Sequence, residues 1–130
     1  MGYNHFDQLN VYKACRELRQ HVSQVARSFP KNEQYKLVDQ IIRSSRSVTA
    51  NIAEGHGRFH YQENIQFCRM ARGSLYETLE HINIALDENY VSTEIYEEIK
   101  AQTHKCIGLL NGYINYLKRK IPGSSPRDQN

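Results

Sequence analysis

The histidines and cysteines are the residues of this chain best suited to hold a metal ion. The 130 residues include six histidines and three cysteines, and the closest pair is His104 and Cys106. Residues two apart on a helix point in different directions, so this pair does not converge on one ion. The sequence also lacks the E-x-x-H and paired C-x-x-C spacings of common metal sites. We therefore expect no metal site and no cofactor.

Serine, glycine and carboxylate patterns offer little support for catalysis. Ser74 follows Gly73 inside a predicted helix, whereas a nucleophilic serine of the G-x-S-x-G type lies on a turn between a strand and a helix. The Gly-His-Gly-Arg segment at 55–58 lacks the spacing and the lysine of a phosphate-binding P-loop, so we interpret it first as a turn and second as a phosphate cradle. Three carboxylates have the chemistry of an acid or base, but no pattern predicts a cleft around them: Glu54, Glu77 and Glu80. The sequence predicts no enzyme.

Arginine spacing is the strongest chemical pattern. Arginines occur three residues apart on three predicted helices, which places both guanidinium groups of each pair on one helical face, where they can bind phosphate oxygens. These pairs are Arg16 with Arg19, Arg43 with Arg46, and Arg69 with Arg72. A nucleic-acid-binding surface is one hypothesis, with these candidate residues: Arg43, Arg46, Arg58, Arg69, Arg72, Lys118, Arg119 and Lys120.

The net charge of the chain says less about its binding partners than the positions of the charged residues do. Seventeen Lys and Arg residues against fourteen Asp and Glu residues give a net charge of +3, too small alone to require a polyanion. Five acids concentrate between residues 87 and 98, so the fold could place a basic face opposite an acidic end. The alternative is that the arginines are solvated or paired, for example Arg72 with Glu77 or Glu80.

Four apolar stripes with spacings of three and four residues predict the helices that must position these side chains. We expect helices at about 9–28, 33–54, 61–87 and 93–120, in an all-α, antiparallel up-down four-helix bundle that spans residues 1–121. Residues 122–130 should form a flexible polar tail. The predicted core stripe of the fourth helix is Ile95, Ile99, Gln102, Cys106, Leu109, Tyr113 and Leu117.

Helix ends and one interior glycine lead to further expectations. Asn32 is a predicted N-cap of the second helix, and Ser92 or Thr93 of the fourth, because short polar side chains can accept a free amide proton there. Gly73 lies inside the third helix, where glycine costs up to about 1 kcal/mol relative to alanine. We therefore expect a close helix contact at Gly73.

Cellular location follows from cysteine use and hydropathy. Three cysteines without a paired motif are typical of a reducing compartment, and the first twenty residues lack a secretory pattern. No stretch approaches the roughly 20 apolar residues of a membrane-spanning helix. We expect a cytoplasmic protein with no membrane partner.

Three segments resemble the motifs of a known family. These are Gln40-Ile41-Ile42-Arg43, the segment SVTANIAEGHGR at 47–58, and the segment FCRMARGSLYE at 67–77. They are similar to motifs of four-helix-bundle proteins associated with intervening sequences in bacterial large-subunit ribosomal RNA genes. The resemblance implies an up-down bundle, a ring-like homo-oligomer, most simply a pentamer, and a partner that is RNA or a nucleic-acid enzyme. Arg46 and Ile42 depart from the family pattern.

The family motif has two interpretations. Its polar and small residues are either packing and assembly residues or a site for a phosphate or other anionic group: Gln40, Ser47, Asn51, Glu54, Gly55, Gly57, Gly73, Ser74 and Glu77. Apolar residues outside the main stripes, such as Met70 and Tyr116, favour oligomerisation. The leading hypothesis is a non-catalytic, oligomeric nucleic-acid-binding protein. The alternative is a protein-binding scaffold or accessory subunit that does not contact nucleic acid.

Overall fold

Four α-helices make up most of the computed structural model, which describes residues 5–123. They are α1 (Asn10–Ala26), α2 (Leu37–His56), α3 (Tyr61–Asp87) and α4 (Thr93–Arg119), with short 3-10 turns at Phe6–Gln8 and Lys31–Glu33. No strand occurs in this part of the chain. Within the same residues, none of the helices carries an apolar stretch long enough to cross a bilayer.

Neighbouring helices run antiparallel. In three of the four pairs of facing helices, contacts match rising residue numbers on one helix with falling numbers on the other. For α2 and α3 these contacts are Ser44 with Thr78 and Ser47 with Ser74. For α3 and α4 they are Asn64 with Tyr113 and Asn83 with Tyr96, and for α1 and α4 they are Cys15 with Cys106 and His21 with Gln102. α1 packs against α2 and α4, and α3 packs against the same two helices from the opposite corner. The predicted all-α four-helix bundle is confirmed.

The core draws one apolar row from each helix, and on α4 this row differs from the predicted one. Leu110 and Ile114 are buried there, whereas Leu109 is exposed and Tyr113 only partly buried. α4 carries two adjacent apolar rows, and the predicted stripe followed the wrong one over its second half. On α3, the polar Thr78 is fully buried, whereas the apolar Leu79 next to it is only partly buried.

The helix ends show which capping signals the chain uses. α2 begins at Leu37, whereas Asn32 lies in a 3-10 turn and its side chain accepts no amide proton of α2, so the N-cap prediction for Asn32 is wrong. The backbone N–H of Leu37 instead donates to the Glu33 carboxylate at 3.4 Å. Ser92 does cap α4, since its hydroxyl accepts the Ile95 N–H at 3.1 Å. α1 ends at Ala26, two residues before the predicted end. Most of the predicted polar tail, 124–130, lies outside the described residues.

Candidate nucleic-acid interface

Hydrogen bonds between small polar side chains join α2 to α3. Ser74 of α3 donates to the Ser47 hydroxyl of α2 at 2.9 Å, and within α2 the Asn51 amide donates to the Ser47 carbonyl at 2.8 Å. One helical turn further along, the hydroxyls of Ser44 and Thr78 lie 2.8 Å apart. We call this contact the α2–α3 seam. Its polar groups satisfy one another inside the chain, as expected for buried hydroxyls and amides.

Gly55 closes one end of the seam, where the two helices approach most tightly. A Cβ atom added at Gly55 would lie 2.7 Å from Asn64 Oδ1 and 2.8 Å from Phe67 Cβ. Asn64 is itself buried, and its amide donates to the Tyr113 hydroxyl at 3.2 Å. The glycine is therefore required by packing rather than by backbone angle. The sequence analysis missed Asn64, whose polar type hid its place in the core.

Arg58, in the turn after α2, is neutralised by its neighbours. Its guanidinium donates to Glu54 at 3.0 Å and to Glu63 at 3.4 Å, and it lies over the Phe67 ring at 4.9 Å. This arrangement ties the end of α2 to the start of α3. Gly57, which precedes it, has an ordinary right-handed φ of −73°. The turn therefore does not use the glycine's freedom, and Arg58 has two carboxylates in place of a phosphate.

The other motif residues lie on the outside of the bundle. Gln40 is exposed, and Glu77 pairs with His81 at 3.3 Å rather than with Arg72. Gly73 is also exposed, and a Cβ added there would meet nothing within 4 Å. The predicted close helix contact at Gly73 is therefore wrong within the chain. The close approach occurs at Gly55 instead.

A groove between α3 and α4 gathers basic and amide side chains. Arg72 Nη1 donates to Asn111 Oδ1 at 2.7 Å. The groove is lined by Arg69, Arg72, Asn111, Asn115 and Lys118. We call it the α3–α4 groove. Within residues 5–123, neither Arg69 nor Arg72 forms an ion pair with a carboxylate. The two asparagines were missed, although their spacing of four residues places both on one face of α4.

A second basic groove lies on the opposite side of the bundle, between α1 and α2. Arg19 Nη1 donates to the Thr49 hydroxyl at 2.8 Å. This α1–α2 groove is lined by Arg19, Gln20, Ser23, Gln24, Arg27 and Arg46. None of its arginines is paired with a carboxylate in the described part of the chain. Arg46 thus keeps its charge available, whereas Arg43, three residues earlier, pairs with Asp39 at 3.1 Å.

The two ends of the bundle differ in charge. Tyr90 in the α3–α4 turn donates to Glu33 at 2.7 Å, which places that turn beside the α1–α2 connection. This hydrogen bond raises the pKa of Tyr90 to about 12. The five clustered acids border the same end: Asp87, Glu88, Glu94, Glu97 and Glu98. Lys118, Arg119 and Lys120 close α4 at the other end, beside the turn at 57–60. We call the latter the basic end.

The histidines and cysteines do not converge. His56 and His60 form an H-x-x-x-H spacing, but α2 ends at His56 and α3 begins after His60, so the two do not share a helical face. No group of three potential ligands forms a metal site within residues 5–123. Burial raises the pKa of the Cys68 thiol to about 12, so it carries no thiolate at neutral pH.

Apolar side chains on the outer faces of α3 and α4 surround exposed glycines. On α3, Gly73 lies between Met70 and Tyr76, which are 55% and 53% exposed. On α4, Leu109 lies among Gly108 and Gly112, where an added Cβ would also meet nothing within 4 Å. Glycines four residues apart on a helix let another helix approach closely. The sequence analysis did not single out this α4 pair.

The fold places this protein in the class of antiparallel four-helix bundles. Its polar seam is packed between two helices, and its basic grooves are open on the surface. The chain belongs to the family described as 23S rRNA-intervening sequence protein, which matches residues 7–112. The resemblance seen in the sequence motifs is confirmed.

A solved structure of similar fold comes from Bacteroides thetaiotaomicron and is described as a protein of unknown function from the S23 ribosomal protein family. It is 25% identical in sequence and superposes with a TM-score of 0.73. The match covers 80% of this chain and 97% of that one. No curated protein matches the chain.

Proposed function

We propose that this protein is a non-catalytic RNA-binding protein that contacts phosphates through the α3–α4 groove and the adjacent basic end. The observation that carries the proposal is the absence of a carboxylate partner for Arg69 and Arg72 among the described residues. Arginine forks bind phosphate oxygens bidentately, and an arginine already held by two acids contributes little to that attraction. The description of the family as intervening-sequence proteins of 23S rRNA adds support for RNA as the nucleic acid.

The groove also has the neutral donors that phosphate and sugar contacts use. The amides of Asn111 and Asn115 line it beside the two arginines, and Arg72 is already oriented by its hydrogen bond to Asn111. Amide and arginine side chains supply many of the backbone contacts in protein–nucleic acid interfaces. Arg58 and Arg43 were also candidates, but their carboxylate partners give them structural roles in this proposal. Arg46 would provide a second contact from the α1–α2 groove.

Self-association is part of the proposal, with a second copy of the chain covering the apolar residues at mid-length on α3 and α4 and leaving Arg69, Asn115 and Lys118, nearer the basic end, open to RNA. Met70, Tyr76 and Leu109 are exposed there beside glycines that leave room for a neighbouring helix. Contiguous exposed apolar patches commonly mark protein interfaces. The family resemblance favours a closed ring of five subunits, which repeats each basic groove five times around one axis.

Salt dependence of binding tests the proposal. With a fluorescently labelled single-stranded RNA, the logarithm of the association constant should fall linearly with the logarithm of salt concentration, by about 0.7 for each phosphate neutralised. Light scattering after size exclusion should give about five times the 15.2 kDa of one chain. Absence of binding at low salt, or binding that salt does not weaken, would contradict RNA binding. A mass near that of one chain would contradict assembly.

The exposed apolar faces also favour a second function, that of a protein-binding scaffold or accessory subunit. In that case the patch around Met70 and Tyr76 would be occupied by a different protein. Substitutions distinguish the two functions. The double variant Met70→Ser with Tyr76→Ser should weaken assembly or partner binding, whereas the loss of Arg69 and Arg72 should weaken RNA binding. An oligomer that forms without any affinity for RNA would favour the scaffold.

A further inference from the structure

Phe59 in the turn between α2 and α3 is almost fully exposed. Its side chain is 97% accessible, and Tyr61, two residues later, is 46% accessible. Burying a phenylalanine side chain stabilises a protein by about 1.5 to 3 kcal/mol, which the fold forgoes at this position. Within the described residues, the Phe59 ring has no aromatic or cation partner. Both faces of the ring are therefore open to another molecule.

The surroundings of Phe59 bring cations to the same place. Residues 59–63, which end the turn and begin α3, and residues 121–122 after α4 line one shallow cleft, so Phe59 lies next to the end of α4. Lys118, Arg119 and Lys120 occupy that end. The nearby carboxylates of Glu54 and Glu63 are both engaged by Arg58. Arg58, Glu54 and Glu63 together carry a net charge of −1, so the +3 of Lys118, Arg119 and Lys120 leaves this end with a net charge of +2.

Tyr116 adds a third exposed aromatic ring at this end of the bundle. It is 45% exposed and stacks nearly parallel on Tyr113, with ring centroids 6.2 Å apart and an angle of 13°. The Lys120 ammonium lies 5.2 Å from its ring centre. Tyr113 is anchored in turn by Asn64, so the stack rests on the packed part of the bundle. Tyr116 and Lys120 thus place a ring and a cation side by side near the end of α4.

From this arrangement we infer that the basic end binds unpaired bases of single-stranded RNA, with Phe59 as the principal stacking platform and Tyr61 and Tyr116 beside it. Aromatic rings bind bases of any sequence by stacking, while neighbouring cations contact the phosphates. A duplex cannot use such rings, because its bases already stack on one another. This inference rests on the proposed RNA binding and narrows it to single strands.

The cleft beside Phe59 and the α3–α4 groove are both lined by residues of α3 and of the C-terminal part of α4 or the residues after it. Arg69 and Arg72 lie in the first half of α3, downstream of Tyr61, and Lys118 contributes to both the groove and the basic end. A strand whose base stacks on Phe59 could therefore continue along the α3–α4 groove. A protein partner would have the same apolar ring available, but charge complementarity at this end favours a polyanion.

Substitution of the ring tests the inference. Phe59→Ala should weaken binding of a labelled single-stranded RNA by at least about fivefold, and Phe59→Tyr should preserve it. Tyr35→Ala is the matched control, because Tyr35 is 91% exposed in the connection between α1 and α2, at the acidic end. Heparin, a polyanion without bases, should bind wild type and Phe59→Ala equally. An unchanged RNA affinity in Phe59→Ala would overturn the inference and leave the proposed function intact.

A fluorescence reading gives an independent test, because the chain contains no tryptophan. In Phe59→Trp, single-stranded RNA should quench the new indole emission through stacking, whereas heparin should not. Tyr35→Trp should respond to neither. Quenching by heparin as strong as by RNA would show that bases are not involved. Failure of the wild type to bind RNA at low salt would instead remove the proposed function itself, so the two failures are distinguishable.

Discussion

Polar residues on the two sides of α3 lie in opposite kinds of environment. Toward α2, Ser74 and Thr78 bond to hydroxyls of α2, and Gly55 lets the two helices approach closely. Toward α4, Arg69 and Arg72 line an open groove with no carboxylate partner in the described part of the chain. The same continuous motif, residues 67–77, supplies both sides. A conspicuous sequence segment therefore need not form a single site.

This difference gives a criterion for separating motif residues that stabilise the fold from motif residues that are available for binding. A polar side chain whose partners are all within the chain contributes to folding, because a buried hydrogen bond is costly to leave unmade. A charged side chain without a compensating partner contributes mainly through what it attracts from solution. On this basis we propose that Ser47 and Asn51 stabilise the fold and that Arg69 and Arg72 contribute to binding.

Gly55→Ala should show the largest effect on stability. The added methyl group would lie less than 3 Å from Asn64 and Phe67, so the helices must shift apart at a cost of about 1 to 3 kcal/mol. Gly57→Ala is the matched control, since its new Cβ would meet only ordinary contacts at 3.5 Å or more. Chemical denaturation of both variants measures the difference. Equal stability of the two variants would show that the seam is not tightly packed.

Thr78→Val should have a smaller effect. It keeps the shape of a fully buried side chain but removes the hydroxyl that donates to the Ser74 carbonyl at 2.9 Å and bonds to Ser44. Loss of one such hydrogen bond costs about 1 kcal/mol. RNA affinity, measured on the folded fraction, should stay at the wild-type value. A large fall in RNA affinity with an unchanged free energy of unfolding would show that Thr78 contributes to RNA binding and would contradict the separation of the seam from the binding surface.

Gly73→Ala should produce the smallest change, and of opposite sign. Because the position is exposed and open, alanine should stabilise the isolated chain by about 0.5 to 1 kcal/mol through its higher helix propensity. The bulkier Gly73→Leu should lower the mass measured by light scattering if a second copy packs there. A monomeric chain destabilised by Gly73→Ala would show that the glycine is needed inside the bundle after all.

The sequence predicted where the helices lie along the chain better than it predicted which side of each helix is buried. The bounds of α3 and the Ser92 cap could be predicted because periodicity and capping are local properties. The start of α2 could not, since Glu33 reaches forward to Leu37 from a 3-10 turn and replaces the cap expected at Asn32. On α4, Leu109 and Leu110 are equally apolar, and only packing decides which of them is buried.

The sequence could predict that the candidate site is rich in arginine, but not how its residues are arranged in three dimensions. Spacing placed Arg69 and Arg72 on one face, yet it could not show that Asn111 would line the same groove from a distant helix. The sequence predicted a close helix contact at Gly73 rather than at Gly55, and only the three-dimensional surroundings show that the contact is at Gly55. The neutralisation of Arg58 by Glu63 likewise depends on how the turn folds.

The salt dependence of RNA affinity in two arginine variants tests the central claim most directly. The double variant Arg69→Ala with Arg72→Ala should bind single-stranded RNA more weakly, with a log–log salt slope smaller by about 0.7 for each lost phosphate contact. Arg43→Ala removes an arginine already paired with Asp39 and should keep the wild-type slope. If the double variant keeps the wild-type slope, or if Arg43→Ala reduces it equally, unpaired arginines of the α3–α4 groove are not the phosphate contacts.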